Sequence, residues 1–142
     1  MKPIIMKKIF LLFILVIFSN QIFSQSTTTD YKSYYNSALT LLINGDYENS
    51  LKTINKSIAI NPNNADSYYI RGNVYQKQLK YSYALSDYQR AIKLNPNHTD
   101  AIMKCGIIYG KLNDRITACK YFKKACDLGD NDGCGAYNKF CN

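Results

Sequence analysis

Five cysteines, one histidine and a short run of aspartates are the residues in this chain that could do chemistry. Cys119 and Cys126 stand seven residues apart, and so do Cys134 and Cys141. Seven residues are two helical turns, about 10 Å along one face. A tight turn through Gly129, Asp130 and Asn131 would make two such helices antiparallel, bringing Cys126 towards Cys134 and Cys119 towards Cys141. Three states of these thiols are open. Two disulfides, Cys119–Cys141 and Cys126–Cys134, would staple the last helix down, provided the Cα atoms come within about 4.4–6.8 Å. Ala118, Ala125, Gly133, Gly135 and Ala136 are small neighbours that allow so close an approach. Reduced thiols would be plain core. A four-cysteine zinc site would have to draw ligands about 10 Å apart onto one ion with bonds of about 2.3 Å, so no metal is expected. Cys105 is left over as a free thiol on a helix that lines the inner face.

The rest of the inventory gives no catalyst. His98 follows Pro96 in a loop, with no second His or Cys at ligand spacing, and reads as a surface residue. Asp127, Asp130 and Asp132 sit where one helix ends and another starts, so they read as caps rather than calcium ligands. GxSxG, HExxH, Walker and CxxC patterns are absent from the sequence. No enzymatic activity and no cofactor are expected.

The elements that position these residues repeat. Tyr68, Gly72, Tyr75 and Leu79 mark one face of a helix, and Ala84, Leu85, Tyr88, Ala91 and Ile92 mark a second. Helices this short are marginal alone, so the two stripes must pack on each other. Gly72, costly in a helix by about 1 kcal/mol, marks a close approach, with Ala84 and Ala91 as its small partners. Asn95-Pro96 ends the second helix. Shifted back by 34 residues, the set is Tyr34, Ala38, Leu41, then Ser50, Ile54, Ser57. Shifted forward, it is Ile102, Gly106, Tyr109, then Ala118, Phe122, Ala125. A period of 34 with these large and small positions in phase resembles the tetratricopeptide repeat over Tyr31 to Asp130, although Asp130 stands where the third repeat would carry Pro.

That resemblance implies an all-α, right-handed α-solenoid of three helix pairs. Repeats are expected at 31–64, 65–98 and 99–130, with residues 131–142 as a short C-terminal capping helix. It also implies a non-catalytic protein–protein interaction module whose first helices line a concave groove. Carried over by phase, the groove residues are Tyr35, Asn36, Leu39 and Ile43, then Tyr69, Ile70, Asn73 and Lys77, then Met103, Lys104, Ile107 and Lys111. Apolar and Tyr side chains beside Asn and Lys suit an extended peptide or a partner helix. Some members of that family clamp a chaperone's C-terminal carboxylate with Lys and Asn. Asn73 and Lys104 stand at similar phases, but Tyr35 and Asp100 replace the clamp's lysines, so that ligand is not expected. The phrase KKACDLGDNDGC, Lys123 to Cys134, also looks like the repeat ending of Sel-like and cysteine-rich repeat proteins, which supports the disulfide staple.

Residues 1–24 stand apart. Lys2, Lys7 and Lys8 precede ten unbroken apolar residues, Ile9 to Phe18, and Ser24 follows. This is the layout of a secretory signal peptide, and the run is short of the about 20 residues of a membrane span. Cleavage after Ser24 would leave a polar lead-in over residues 25–30, with Asp30 capping the first helix. The mature chain would then hold 15 basic and 10 acidic residues, net +5. An exported bacterial protein in the periplasm, cell envelope or medium is expected, and with it disulfides. Nucleic acid is not an expected partner. The alternative to a peptide is an anionic envelope polymer or lipid head group on the basic cluster Lys120, Lys123, Lys124 and Lys139.

Overall fold

The computed structural model describes residues 30–142, all of them in helices or short turns. The expected signal segment Met1–Ser24, and the lead-in up to Thr29, lie outside the described residues. Helix α1 occupies residues 30–43, so Asp30, read from sequence as its cap, is already helical. The order continues with α2 (Tyr47–Ile60), α3 (Ala65–Lys77), α4 (Tyr81–Leu94), α5 (Thr99–Lys111), α6 (Arg115–Asp127) and α7 (Asn131–Cys141). Among the described residues no helix is long and apolar enough to cross a membrane.

Side chains start five of the helices, α4 after Lys80 being without such a cap. Asp46, Asn64, Asp114 and Asp130 each accept from the backbone N–H three residues on, satisfying a donor that the first turn leaves open. The hydrogen bonds from Asn49 to Asp46, and from Thr117 to Asp114, hold both carboxyl groups below the usual aspartate range. His98 makes the same cap: its Nδ1 accepts from Ala101 N at 3.3 Å. It is only 8% exposed and its ring lies 4.9 Å from that of Tyr69, so it is a packed capping residue rather than the surface residue the sequence suggested.

Helices α2 to α7 pack in series, each chiefly against its neighbours in the chain, and Ala38 of α1 packs with Ile54 of α2 and Ile70 of α3. The core follows the 34-residue phase. Ser50, Ala84 and Ala118, and likewise Ser57, Ala91 and Ala125, are fully buried. The two serines of the first pair keep their hydroxyls satisfied: Ser50 Oγ donates to Ala38 O at 2.8 Å, and Ser57 Oγ lies 3.0 Å from both Tyr31 O and Ser67 Oγ. Gly72 does mark a close approach, but its partner is not the alanines. A Cβ there would lie 2.6 Å from Tyr88 Cε1, and one at Gly106 would lie 2.6 Å from Phe122 Cε1. An aromatic ring fills each glycine's gap; in the first pair the smaller Ile54 faces Ala38.

Cys119 and Cys141 are joined with Cα atoms 5.7 Å apart, and Cys126 and Cys134 with Cα atoms 4.4 Å apart. These are the two pairs expected from the spacing. Cys105 is free, but it lies in the core between α4, α5 and α6 and not on the inner face. Burial pushes its thiol up to about 12.

The turns between paired helices hold one strained residue. Gly45, Leu79 and Asn113 share a phase and all have positive φ, at 79°, 60° and 62°. Leu79 is therefore outside α3, not the last member of its stripe, and it is 71% exposed. A branched side chain in this region costs about 1–2 kcal/mol, more than the entropy a glycine adds to the unfolded chain, at most about 1 kcal/mol. Leu79→Gly should therefore raise stability by about 0.5–1 kcal/mol, seen as a higher urea midpoint at unchanged slope. An unchanged or lower midpoint would mean that the leucine is not strained.

Candidate peptide-binding groove

α1, α3 and α5 present their C-terminal halves to one groove of about 590 Å³. Ile43, Asn73, Lys77, Lys104 and Lys111, all selected from the sequence, meet there. Leu42, Tyr47, Gln76, Leu79 and Tyr81 complete the lining. Three of these ten side chains are cationic and none is acidic. Ile43 and Leu79, 75% and 71% exposed, form an apolar rim.

The other selected residues go elsewhere. Tyr35 and Asn36 line a separate recess of about 230 Å³ with Tyr31, Lys32, Asn64 and Asp66. Partial burial and the nearby Asp66 raise the Tyr35 phenol above its ordinary value. Ile107 borders an apolar hollow of about 460 Å³ with Phe122 and Phe140 at the capping helix, which the groove residue Lys111 also touches. Met103 is half-buried. Leu39 packs against the core of the first helix pair. Ile70 is 3% exposed, packed with Ala38 and Ile54, and out of a partner's reach. Tyr69 is wedged between Tyr88, ring centroids 5.9 Å apart, and His98. Burial raises its phenol above the ordinary range. Substituting Tyr69 would disturb packing as much as binding.

Sequence phase missed Leu42 and Gln76. They lie one turn beyond Leu39 and Asn73, on the same face, so the i+3 step would have found them. The turn residue Leu79 and the helix-start residues Tyr47 and Tyr81 lie outside the first-helix stripe from which the groove was read, because the groove's edge is made by chain reversal.

Beneath the groove lies a polar network. Tyr88, fully buried, reaches through the gap at Gly72. Its hydroxyl is 2.7 Å from Asn73 Oδ1 and 2.7 Å from Gln76 Oε1. On the far side of α3, Arg71 forks onto Asp87 at 2.8 Å and 2.7 Å, with Asn55 at 2.8 Å. That bidentate contact raises the Arg71 guanidinium and ties α3 to α4. The basic cluster proposed at the C-terminal end is divided. Lys123 is held by both Asp127 oxygens at 2.9 Å, Lys120 and Lys123 border one hollow, and Lys139 borders another.

Residues 65–98 match the family model described as tetratricopeptide repeat, and residues 38–78 match a second described as TPR repeat. Among solved structures, the crystal structure of MamA is similar at TM-score 0.69 and 28% identity, over 74% of this chain and 61% of that one. The first TPR of Spaghetti (RPAP3), bound to the HSP90 peptide SRMEEVD, gives TM-score 0.73 and 20% identity, over 79% and 90%. The MamA RS-1 ArsTM double mutant gives 0.67 and 22%, over 72% and 57%. The chain thus spans less than two thirds of either MamA chain. No curated protein matches it. The two matched segments, within an α-solenoid of helix pairs, identify residues 38–98 as tetratricopeptide repeats.

Proposed function

We propose that this protein is an exported interaction module that holds an extended, acidic segment of a partner protein in the groove between α1, α3 and α5. The observation that carries this reading is the composition of the groove. Lys77, Lys104 and Lys111 supply positive charge with no opposing carboxylate, Asn73 and Gln76 supply hydrogen-bonding amides, and Ile43 and Leu79 supply an apolar rim. Charge complementarity of this kind selects acidic partners and speeds encounter. The RPAP3 domain, alike in fold, holds a peptide with three acidic residues.

A binding role without catalysis agrees with the state of the reactive side chains. The Cys105 thiol is buried and pushed up to about 12. His98 spends Nδ1 on a helix cap and directs Nε2 towards Asp66, 3.3 Å away. Export is supported by the lysine-flanked apolar run ahead of the repeats and is compatible with the two disulfides. An anionic polymer or head group on the C-terminal lysines has less support, because Asp127 offsets Lys123 and the lysines border different hollows.

The test is capture of an array of short acidic peptides that also carry apolar residues. Lys77→Glu with Lys104→Glu should lower affinity for the tightest peptide about a hundredfold, roughly 2.7 kcal/mol. Charge reversal at Lys120 and Lys124 should leave it unchanged. Wild-type affinity in the groove variant would sink the proposal, and loss confined to the C-terminal variant would move the site to the basic cluster.

A further inference from the structure

A phenol carries one proton, yet Tyr88 Oη lies 2.7 Å from both Asn73 Oδ1 and Gln76 Oε1. The hydroxyl donates to one carbonyl oxygen. The second amide must turn by 180° and donate its own N–H to Oη, since two oxygens at that distance need a proton between them. The consequence is on the groove side. The amide whose oxygen is used by Tyr88 turns its NH2 group outward, where that of Asn73 also meets the Tyr69 phenol at the groove's edge. The amide whose NH2 is used offers its oxygen. Both residues line the groove.

The 34-residue phase shows that these three residues change together. Position by position, the first pair has Leu39, Leu42 and Ile54, and the third has Ile107, Gly110 and Phe122. The middle pair alone has Asn73, Gln76 and Tyr88. Phe122 fills the gap at Gly106 as Tyr88 fills that at Gly72, so the fold itself does not require the hydroxyl. One acceptor would satisfy a buried phenol; two amides are present, and both face the groove.

We propose that Tyr88 is a positioning residue that sorts Asn73 and Gln76 into one donor and one acceptor, and that this pair reads one residue's main-chain N–H and C=O in an extended peptide. This deepens the proposed function and rests on it for the ligand. An extended backbone offers a donor and an acceptor at each residue, which a sorted pair can meet and two unsorted, rotating amides meet only part of the time.

Two readouts on the full chain test it. In the ligand-free protein, the side-chain NH2 signals of Asn73 and Gln76 should differ by NMR, with one slowed in exchange by its bond to Tyr88. Tyr88→Phe should remove that protection and shift both signals, with the fold retained as Phe122 predicts. The second readout uses the tightest peptide of the acidic array and its singly N-methylated series. The wild type should lose about tenfold in affinity at one methylated residue, the scale of a hydrogen bond. Tyr88→Phe should bind the parent peptide about tenfold more weakly and no longer register that methyl group. Unchanged amide signals in Tyr88→Phe would overturn the sorting. Wild-type affinity and methylation profile in Tyr88→Phe would overturn the recognition. If no peptide of the array binds the wild type, the groove function falls and the recognition with it, and the amide signals still decide the sorting.

Discussion

Reduction of both disulfides is expected to cost the fold about 5 kcal/mol and to release α7 before any other helix. The bonds span 22 and 8 residues of chain. Loop-closure entropy gives about 3 kcal/mol for the longer and about 2.5 kcal/mol for the shorter, and the nested loops make the sum an upper value. The helix they hold is short and little buried. α7 is 11 residues long, contains Gly133 and Gly135, and buries only Gly133. An isolated helix below about 12–15 residues is marginal even with good helix formers. Apart from the disulfides, its contacts include Gly133 set closely on Ala125 and Cys126 of α6, the Phe140 ring 6.0 Å from that of Phe122, and Arg115 over Phe140. Hydrogen exchange should therefore show α7 losing protection in a dithiol reductant while α3 to α5 keep theirs. Protection of α7 that survives reduction would show that its packing on α6 suffices and the staple is redundant. The outcome bears on where the protein works, since a solenoid whose end piece depends on disulfides is complete only in an oxidising compartment.

The helices, their order and the cysteine pairs were legible because each rests on local chemistry. Periodicity marks a face, Asx residues mark starts, and antiparallel helices of equal spacing align Cys119 with Cys141 and Cys126 with Cys134. What spacing leaves open is which side chain crosses to fill a given gap. The glycine at position 72 announces a close approach, but alanines and a tyrosine on α4 lie within one stripe, and only packing shows that the ring enters. Ile70 and Cys105 share the limitation. Both stand beside groove positions on their helices, and each turns inward because its neighbouring helix leaves space. Leu79 was hidden for another reason. A leucine continues an apolar stripe by type, and nothing local marks it as the residue that takes the left-handed turn filled elsewhere by Gly45 and Asn113. His98 looked solvated because it follows a proline, whereas the side chain folds back to cap α5.

Two glycine substitutions should change stability in opposite directions. Gly72→Val is expected to cost about 3 kcal/mol. The first added carbon would stand 2.6 Å from Tyr88 Cε1 and 2.8 Å from Cδ1. The ring cannot retreat, because it is fully buried and its hydroxyl is tied to Asn73 and Gln76 on the same helix. Overpacking of this kind costs about 1–3 kcal/mol for small insertions. The two further methyl groups of valine bring it to the top of that range, against a helix-propensity gain of only about 0.5 kcal/mol. Gly110→Ala meets no such wall. Its Cβ would lie 3.7 Å from Phe140 Cζ, an ordinary contact, within α5. Propensity then decides, and stability should rise by up to about 1 kcal/mol. Thermal or urea unfolding of the two variants reads both signs. The same pair separates packing from recognition. Displacing Tyr88 also displaces the two amides above it, so Gly72→Val should lose peptide capture even under conditions where it remains folded, and Gly110→Ala should retain it. Capture retained by a folded Gly72→Val would mean that the groove does not depend on what lies beneath it.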